Sequence, residues 1–393
     1  MGTYNFDELI DRRGTSCLKY DFGMQRKGRT DLLPLWVADM DFRLPEEILA
    51  DLHKRIDHGI FGYTDPDQEY YDALNYWFSR RYGYTIEPEM VTLGAGIVYG
   101  LATGVKAFAK EGEGVMVMQP VYYPFSEVIQ FNNRVLVNSQ LHYENGHYTI
   151  DYADMEEKIA AQNVKAILFC NPHNPVGRVW TREEIEKVAE ICLKHNVVMM
   201  VDEIHCDFIF KGHTFTSFMT LPEVYRQNLV LYHSPGKTFN IAGLQPANII
   251  IPNPELRARY RFANNQAGYS QGSIMGQVAV KSVYTKGEAW LEELLEYLQE
   301  NVAYLREFTK ENFPKATFVE PEGTYLVWID FSGYGLSDEE LEHLMVDKAK
   351  LWLDCGKIFG PETAQFERFN VACPRSILEQ AMKQLKEAFD SEL

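Results

Sequence analysis

The sequence predicts an α/β protein, with a mainly parallel sheet covered by helices in a large domain and a smaller α+β domain after it. Three observations predict this. Short apolar runs alternate with helical periodicity through the middle of the chain. Those runs are continuously apolar, as strands buried on both faces require. A long helical segment then leads into strand and helix signals of a different spacing. The expected divisions are an N-terminal segment over 1–50, a large domain over 51–289 and a small domain over 290–393. Residues 1–50 are rich in Pro and turn formers and are expected to pack with the small domain.

Each element has its own signal. Leu93-Gly94-Ala95-Gly96-Ile97-Val98-Tyr99-Gly100 is a glycine-rich turn opening a helix, and Val115 to Met118 reads as a strand. Lys165 to Cys170 is a short buried strand. Thr181-Arg182-Glu183-Glu184 is a capping box, and Ile185, Val188, Ala189, Cys192 and Leu193 behind it form one apolar helix face. Val197 to Val201 is the next strand, completing a βαβ unit. Asn228 to Tyr232 is a further apolar run. Glu288 to Asn312 reads as a long helix and Gly323 to Asp330 as a strand. Ser337 with Glu340, and Ser376 with Glu379, have capping-box spacing.

A chain of 393 residues, 46% hydrophobic, can bury more than one usual core. Its net charge of −18 offers nothing to offset phosphate repulsion, so nucleic acid is not an expected partner. The six cysteines include no C-x-x-C pair, and Cys170 and Cys192 sit in apolar stretches. That suits a reduced, cytoplasmic protein with no metal site. Met1 to Lys27 has no apolar core of a signal peptide. No run approaches the length of a membrane span.

The chemistry lies just beyond three strands. Strand 165–170 leads into Asn171-Pro172-His173-Asn174-Pro175-Val176-Gly177-Arg178, where two prolines fix the loop and Gly177 permits an unusual dihedral. Strand 197–201 leads into Asp202-Glu203-Ile204-His205. The run at 228–232 leads into Ser234-Pro235-Gly236-Lys237-Thr238. Open α/β sheets bind ligands at the carboxyl ends of their strands. An amide, a carboxylate and a lysine would therefore meet in one crevice. Pyridoxal 5'-phosphate needs that set: an amine for its aldehyde, a carboxylate beside its pyridine nitrogen and an amide donor at its ring hydroxyl.

These stretches, with Leu35-Trp36-Val37-Ala38-Asp39-Met40-Asp41-Phe42, Phe61-Gly62-Tyr63-Thr64 and Arg368-Phe369-Asn370-Val371-Ala372-Cys373-Pro374-Arg375, carry a resemblance. The chain resembles the fold-type I pyridoxal-phosphate enzymes, the aspartate aminotransferase superfamily of class I/II aminotransferases, over nearly its whole length. Within it, the chain looks like the MalY/PatB-type cystathionine β-lyases, or cysteine-S-conjugate β-lyases. The resemblance implies that Lys237 is the Schiff-base and catalytic lysine, Asp202 the partner of the pyridine nitrogen and Asn174 the donor to the ring oxygen. It implies phosphate binding by the amides of Gly96, Ile97 and Val98 at a helix start, with a hydroxyl from Ser234. Tyr122 would stack on the ring and serve catalysis. Arg368, with Asn174, would bind the substrate α-carboxylate; Arg375 is the competing arginine. Tyr63 would reach the phosphate of the neighbouring subunit, so a homodimer with shared sites is expected.

The same site serves two reactions. A transaminase returns the Cα proton to the cofactor, whereas a β-lyase expels a thiolate from Cβ. Many aminotransferases place a tyrosine three residues after the aspartate; His205 stands there, as in the β-lyase group. The expected activity is therefore cleavage of L-cystathionine or related cysteine S-conjugates to pyruvate, ammonia and a thiol. Amino transfer, and a regulatory binding role with secondary catalysis, remain the alternatives.

Overall fold

The computed structural model describes residues 2–392. Its centre is a seven-stranded sheet built from β1 (Val91–Leu93), β2 (Gly114–Val117), β3 (Val135–Asn138), β4 (Val164–Cys170), β5 (Val198–Asp202), β6 (Leu229–His233) and β7 (Asn248–Ile250), in the order β1-β7-β6-β5-β4-β2-β3. Only β7 runs antiparallel to its neighbours. β2, β5 and β6 are buried at every position, so their apolar runs follow from cover on both faces. The direction of winding reverses between β4 and β2, and the chemistry-bearing loops leave the carboxyl ends around that point.

A second, four-stranded antiparallel sheet is formed by β8 (Thr317–Val319), β9 (Leu326–Asp330), β10 (Asp354–Cys355) and β11 (Phe366–Asn370), in the order β8-β9-β11-β10. It follows α6 (Glu288–Asn312), the long helix, whose bounds coincide with those expected. Earlier helices include α1 (Glu46–Asp57), α2 (Gln68–Arg81), α3 (Ile97–Phe108), α4 (Arg182–Lys194) and α5 (Ile274–Lys286); α7 (Arg375–Glu392) ends the described chain. Both Thr181–Glu184 and Ser337–Glu340 close as reciprocal capping boxes.

The N-terminal segment lies along this second sheet's side of the molecule. Leu33–Pro34 pairs in parallel with Leu351–Trp352, and Trp36 stacks on Trp352 at 4.4 Å. Phe6 meets Trp290 edge-on, and the Thr3 amide donates to Glu293.

Two local expectations need correction. Ser376 does not open a helix. α7 already includes Arg375, and the Ile377 amide donates to the Pro374 carbonyl at 2.9 Å, so the proline stands at the entry. The strand expected from Gly323 starts only at Leu326, because Thr324 adopts a left-handed φ of 67° that breaks the extended run. The other strand boundaries move by a single residue, as at β5 and β6.

Among the described residues, no helix is long and apolar enough to cross a membrane. None of the six cysteines is in a disulfide.

Candidate active site

The sheet brings Asn174, Asp202 and Lys237 together because they follow the adjacent strands β4, β5 and β6. Asp202 ends β5, and its Oδ1 accepts from the Ile204 amide at 3.0 Å. Burial pushes its carboxyl up to about 7, opposed by that hydrogen bond and by the charge of Lys237. A carboxylate in so dry a place is stabilised by a cation set against it. Lys237 is the complementary case. Desolvation lowers its amine to about 8, with Asp39 opposing and Arg368 reinforcing the shift. The amine is thus uncharged part of the time near neutral pH, which a nucleophile or base requires. Its Nζ donates to the Ala38 carbonyl at 2.5 Å, and the Tyr325 hydroxyl donates to the same oxygen at 3.0 Å.

The loop supplying that carbonyl is tied from several sides. Arg12 bonds both Asp39 and Asp41, at 2.6 and 2.7 Å, and the fully buried Lys19 ammonium reaches Asp41 at 2.7 Å. Asn370 Nδ2 donates to the Val37 and Asp39 carbonyls, and Asn240 bonds both the amide and the carbonyl of Met40. Residues 36–41 thereby join the N-terminal segment, the lysine loop and β11. A second anchor lies under the lysine: Thr238 donates to the buried Asp207 at 2.7 Å, and Tyr82 holds the other carboxylate oxygen at 2.5 Å.

Arg368, on β11, reaches across to Asn174, its Nη1 donating to Oδ1 at 3.0 Å. Its Nη2 donates to the Trp36 carbonyl at 2.7 Å and to Asp354, while Nε is buried without a partner. Arg375 lies elsewhere, donating to Asn301 at 2.7 Å and sitting over Tyr304. The Tyr122 amide donates to the Asn174 carbonyl at 3.0 Å, which fixes the tyrosine beside the same loop. His205 is buried 5.8 Å from the Tyr325 ring, and its Nδ1 has no partner. Desolvation first, then Lys237 and Arg368, hold it well below the usual histidine range, so the imidazole is neutral.

Gly96, Ile97 and Val98 form the start of α3. Gly96 has φ 92°, no side chain caps the helix, and the space beside Gly96 is open. An L side chain would be strained there, while an anion could meet the free helix-start amides. Ser234 is committed differently: its hydroxyl donates to the Pro246 carbonyl at 2.5 Å and accepts from the Gly236 amide. These bonds brace the loop. Tyr63 is 97% exposed, beside the 268–272 loop.

The donor set fits pyridoxal phosphate. A desolvated amine, a buried carboxylate, an amide, the unpartnered buried Nδ1 of His205 and an uncapped helix start suit its aldehyde, pyridine nitrogen, ring oxygen and phosphate. Among the described residues, no group of three or more His, Cys, Asp or Glu is set to hold a metal ion. Sequence reasoning did not find Asp354, Tyr325 or the Ala38 carbonyl. Asp354 had a readable signal, an acid directly after the apolar run Leu351-Trp352-Leu353; a main-chain carbonyl has none.

Comparison with known proteins agrees with this geometry. Residues 30–385 match the family described as aminotransferase class I and II. The chain is 41% identical over 384 residues to cystathionine beta-lyase PatB of Bacillus subtilis (strain 168), covering 98% of this chain and 99% of that protein. Cystalysin from Treponema denticola, whose crystal structure contains pyridoxal 5'-phosphate, superimposes with a TM-score of 0.96 at 34% identity, covering 99% of each chain. A pyridoxal-phosphate-bound C–S lyase from Staphylococcus hominis, complexed with the inhibitor L-cycloserine, gives a TM-score of 0.92 at 33% identity, over 99% of this chain and 100% of the other.

Proposed function

This chain belongs to the class I and II aminotransferase family, and on that footing we propose that it is a pyridoxal-phosphate-dependent carbon–sulfur β-lyase acting on L-cystathionine or related cysteine S-conjugates. The observation that carries the reaction type is the 41% identity, end to end, with a cystathionine β-lyase. His205, neutral at the position where many aminotransferases have tyrosine, supports the same reading.

When bound, the cofactor supplies an aldehyde for the substrate amine and a ring that draws electrons from Cα. The chain's residues do the rest. Arg368 and Asn174 hold the α-carboxylate and so fix which bond at Cα faces the lysine. Lys237 Nζ, its basicity lowered by burial, removes the Cα proton. With that proton on Lys237, the electrons left at Cα expel the thiolate from Cβ. Asp202 would keep the pyridine nitrogen cationic, Tyr122 would pack on the ring, and the α3 amides would hold the phosphate. Water then completes the balance: cystathionine plus water gives homocysteine, pyruvate and ammonia.

The test is product analysis. Wild-type protein given L-cystathionine and no 2-oxo acid is expected to release pyruvate, ammonia and homocysteine in equal amounts. Consumption of amino donor only when a 2-oxo acid is added, with no pyruvate from any cysteine thioether, would replace this reading with amino transfer, the other activity named in the family description.

The protein acts as a homodimer with shared sites. The near-complete exposure of Tyr63 within one chain supports this reading. Mixing Tyr63→Phe chains with Lys237→Ala chains concentrates both lesions in one site and leaves the other intact. Activity above that of either parent is expected. No recovery in heterodimers confirmed by mass would contradict a shared site.

A further inference from the structure

Arg368 is held in an unusual way for a residue that must grip an incoming ligand. Asp354 and Arg368 are directly opposite each other in the antiparallel pair β10·β11, so their side chains leave the same face of the sheet. The Asp354 carboxylate takes Nη2 of Arg368 in a buried ion pair. The second Nη2 hydrogen goes to the Trp36 carbonyl and one Nη1 hydrogen to Asn174. The Phe359 ring lies 4.9 Å from the guanidinium carbon. Every polar direction but Nε and one Nη1 hydrogen is thus already fixed, and Nε is buried with nothing to bond. A buried donor left open is costly unless something arrives to use it. A guanidinium with no counter-charge here would also be an uncompensated buried cation.

We propose that Asp354 is a positioning residue: by clamping Nη2 it aims the unpartnered part of the Arg368 guanidinium at the substrate's α-carboxylate and sets the strength of that grip. This rests on the reading of Arg368 as the carboxylate-binding residue. Asp354 does not touch the substrate; it acts through the arginine. The planar fork makes this possible, because holding one end fixes the direction of every other N–H. Asp354 is itself largely buried, with Tyr123 and Lys27 nearby, so little solvent competes for its end of the pair.

The experiment measures binding to the cofactor-loaded enzyme by the change in cofactor absorbance, with L-alanine and L-alaninamide as probes that differ only in the carboxylate. Asp354→Ala is expected to weaken L-alanine by about tenfold or more and to leave L-alaninamide within about twofold. Asp354→Asn, which keeps an acceptor but no charge, is expected to weaken L-alanine by about threefold with the same selectivity. On the thioether substrate, both should raise KM far more than they lower kcat. In an Arg368→Lys background, Asp354→Ala should add nothing further. Equal weakening of both probes, or an effect that persists in the Arg368→Lys background, would show a general structural role and overturn the proposal while the arginine reading stands. If Arg368→Lys itself leaves L-alanine binding unchanged, the arginine reading fails, and the proposal with it. The Asp354→Asn arm decides the matter if the alanine variant does not accumulate.

Discussion

Lys237→Ala is expected to abolish turnover, with a loss of at least about a thousandfold, while the protein stays folded and keeps cofactor without a covalent link. The loss is large because, on the proposed roles of Lys237, the change removes both the amine that would carry the aldehyde and the base that would take the Cα proton. Folding should survive, because the lysine is not a packing element. Its amine makes one hydrogen bond, to Ala38, whose carbonyl keeps Tyr325. The loop retains Thr238 on Asp207 and the Ser234 brace. Cofactor should remain because the proposed phosphate cradle at Gly96 to Val98 and the Asp202 carboxylate are untouched. The check is a steady-state assay alongside an absorbance spectrum after gel filtration. Turnover near the wild-type level, or an apoprotein that no longer takes up cofactor, would contradict this assignment.

Asp202→Asn is expected to cost about a hundredfold or more in kcat, with a near-normal melting temperature. Burial already presses the Asp202 carboxyl towards neutrality, up to about 7. A pyridinium opposite it would reverse that pressure and keep it ionised. Asparagine fills the same space and still accepts from the Ile204 amide, so packing is spared. What would be lost, on the proposed role of Asp202, is the negative charge that would keep the ring nitrogen protonated, and with it the electron withdrawal that would make the Cα proton removable. The comparison to make is kcat against cofactor content. Full occupancy with near-normal kcat would make Asp202 a structural residue.

The parts of this site that were legible share a physical cause. Asn174, Asp202 and Lys237 each follow an apolar run, and a parallel sheet aligns the ends of such runs whatever the loops do. Helix α6 was legible to its ends because its apolar positions repeat over many turns. The illegible parts depend on distant segments crossing. Ala38 meets Lys237 and Tyr325 only because Arg12, Lys19, Asn240 and Asn370 converge on residues 36–41. Asp354 pairs with Arg368 through sheet register, which the thirteen intervening residues, including two short 3-10 turns, conceal. The capping-box reading at Ser376 failed for a local reason: the preceding proline had already started the helix.

The central claim is that the crevice at the ends of β4, β5 and β6 holds pyridoxal phosphate on Lys237. Borohydride reduction of the loaded protein, followed by proteolysis and mass mapping, tests it most directly. The predicted result is a single reduced adduct on the peptide containing Ser234 to Phe239, at Lys237. An adduct on any other lysine, or none on a protein that is otherwise fully loaded, would contradict it.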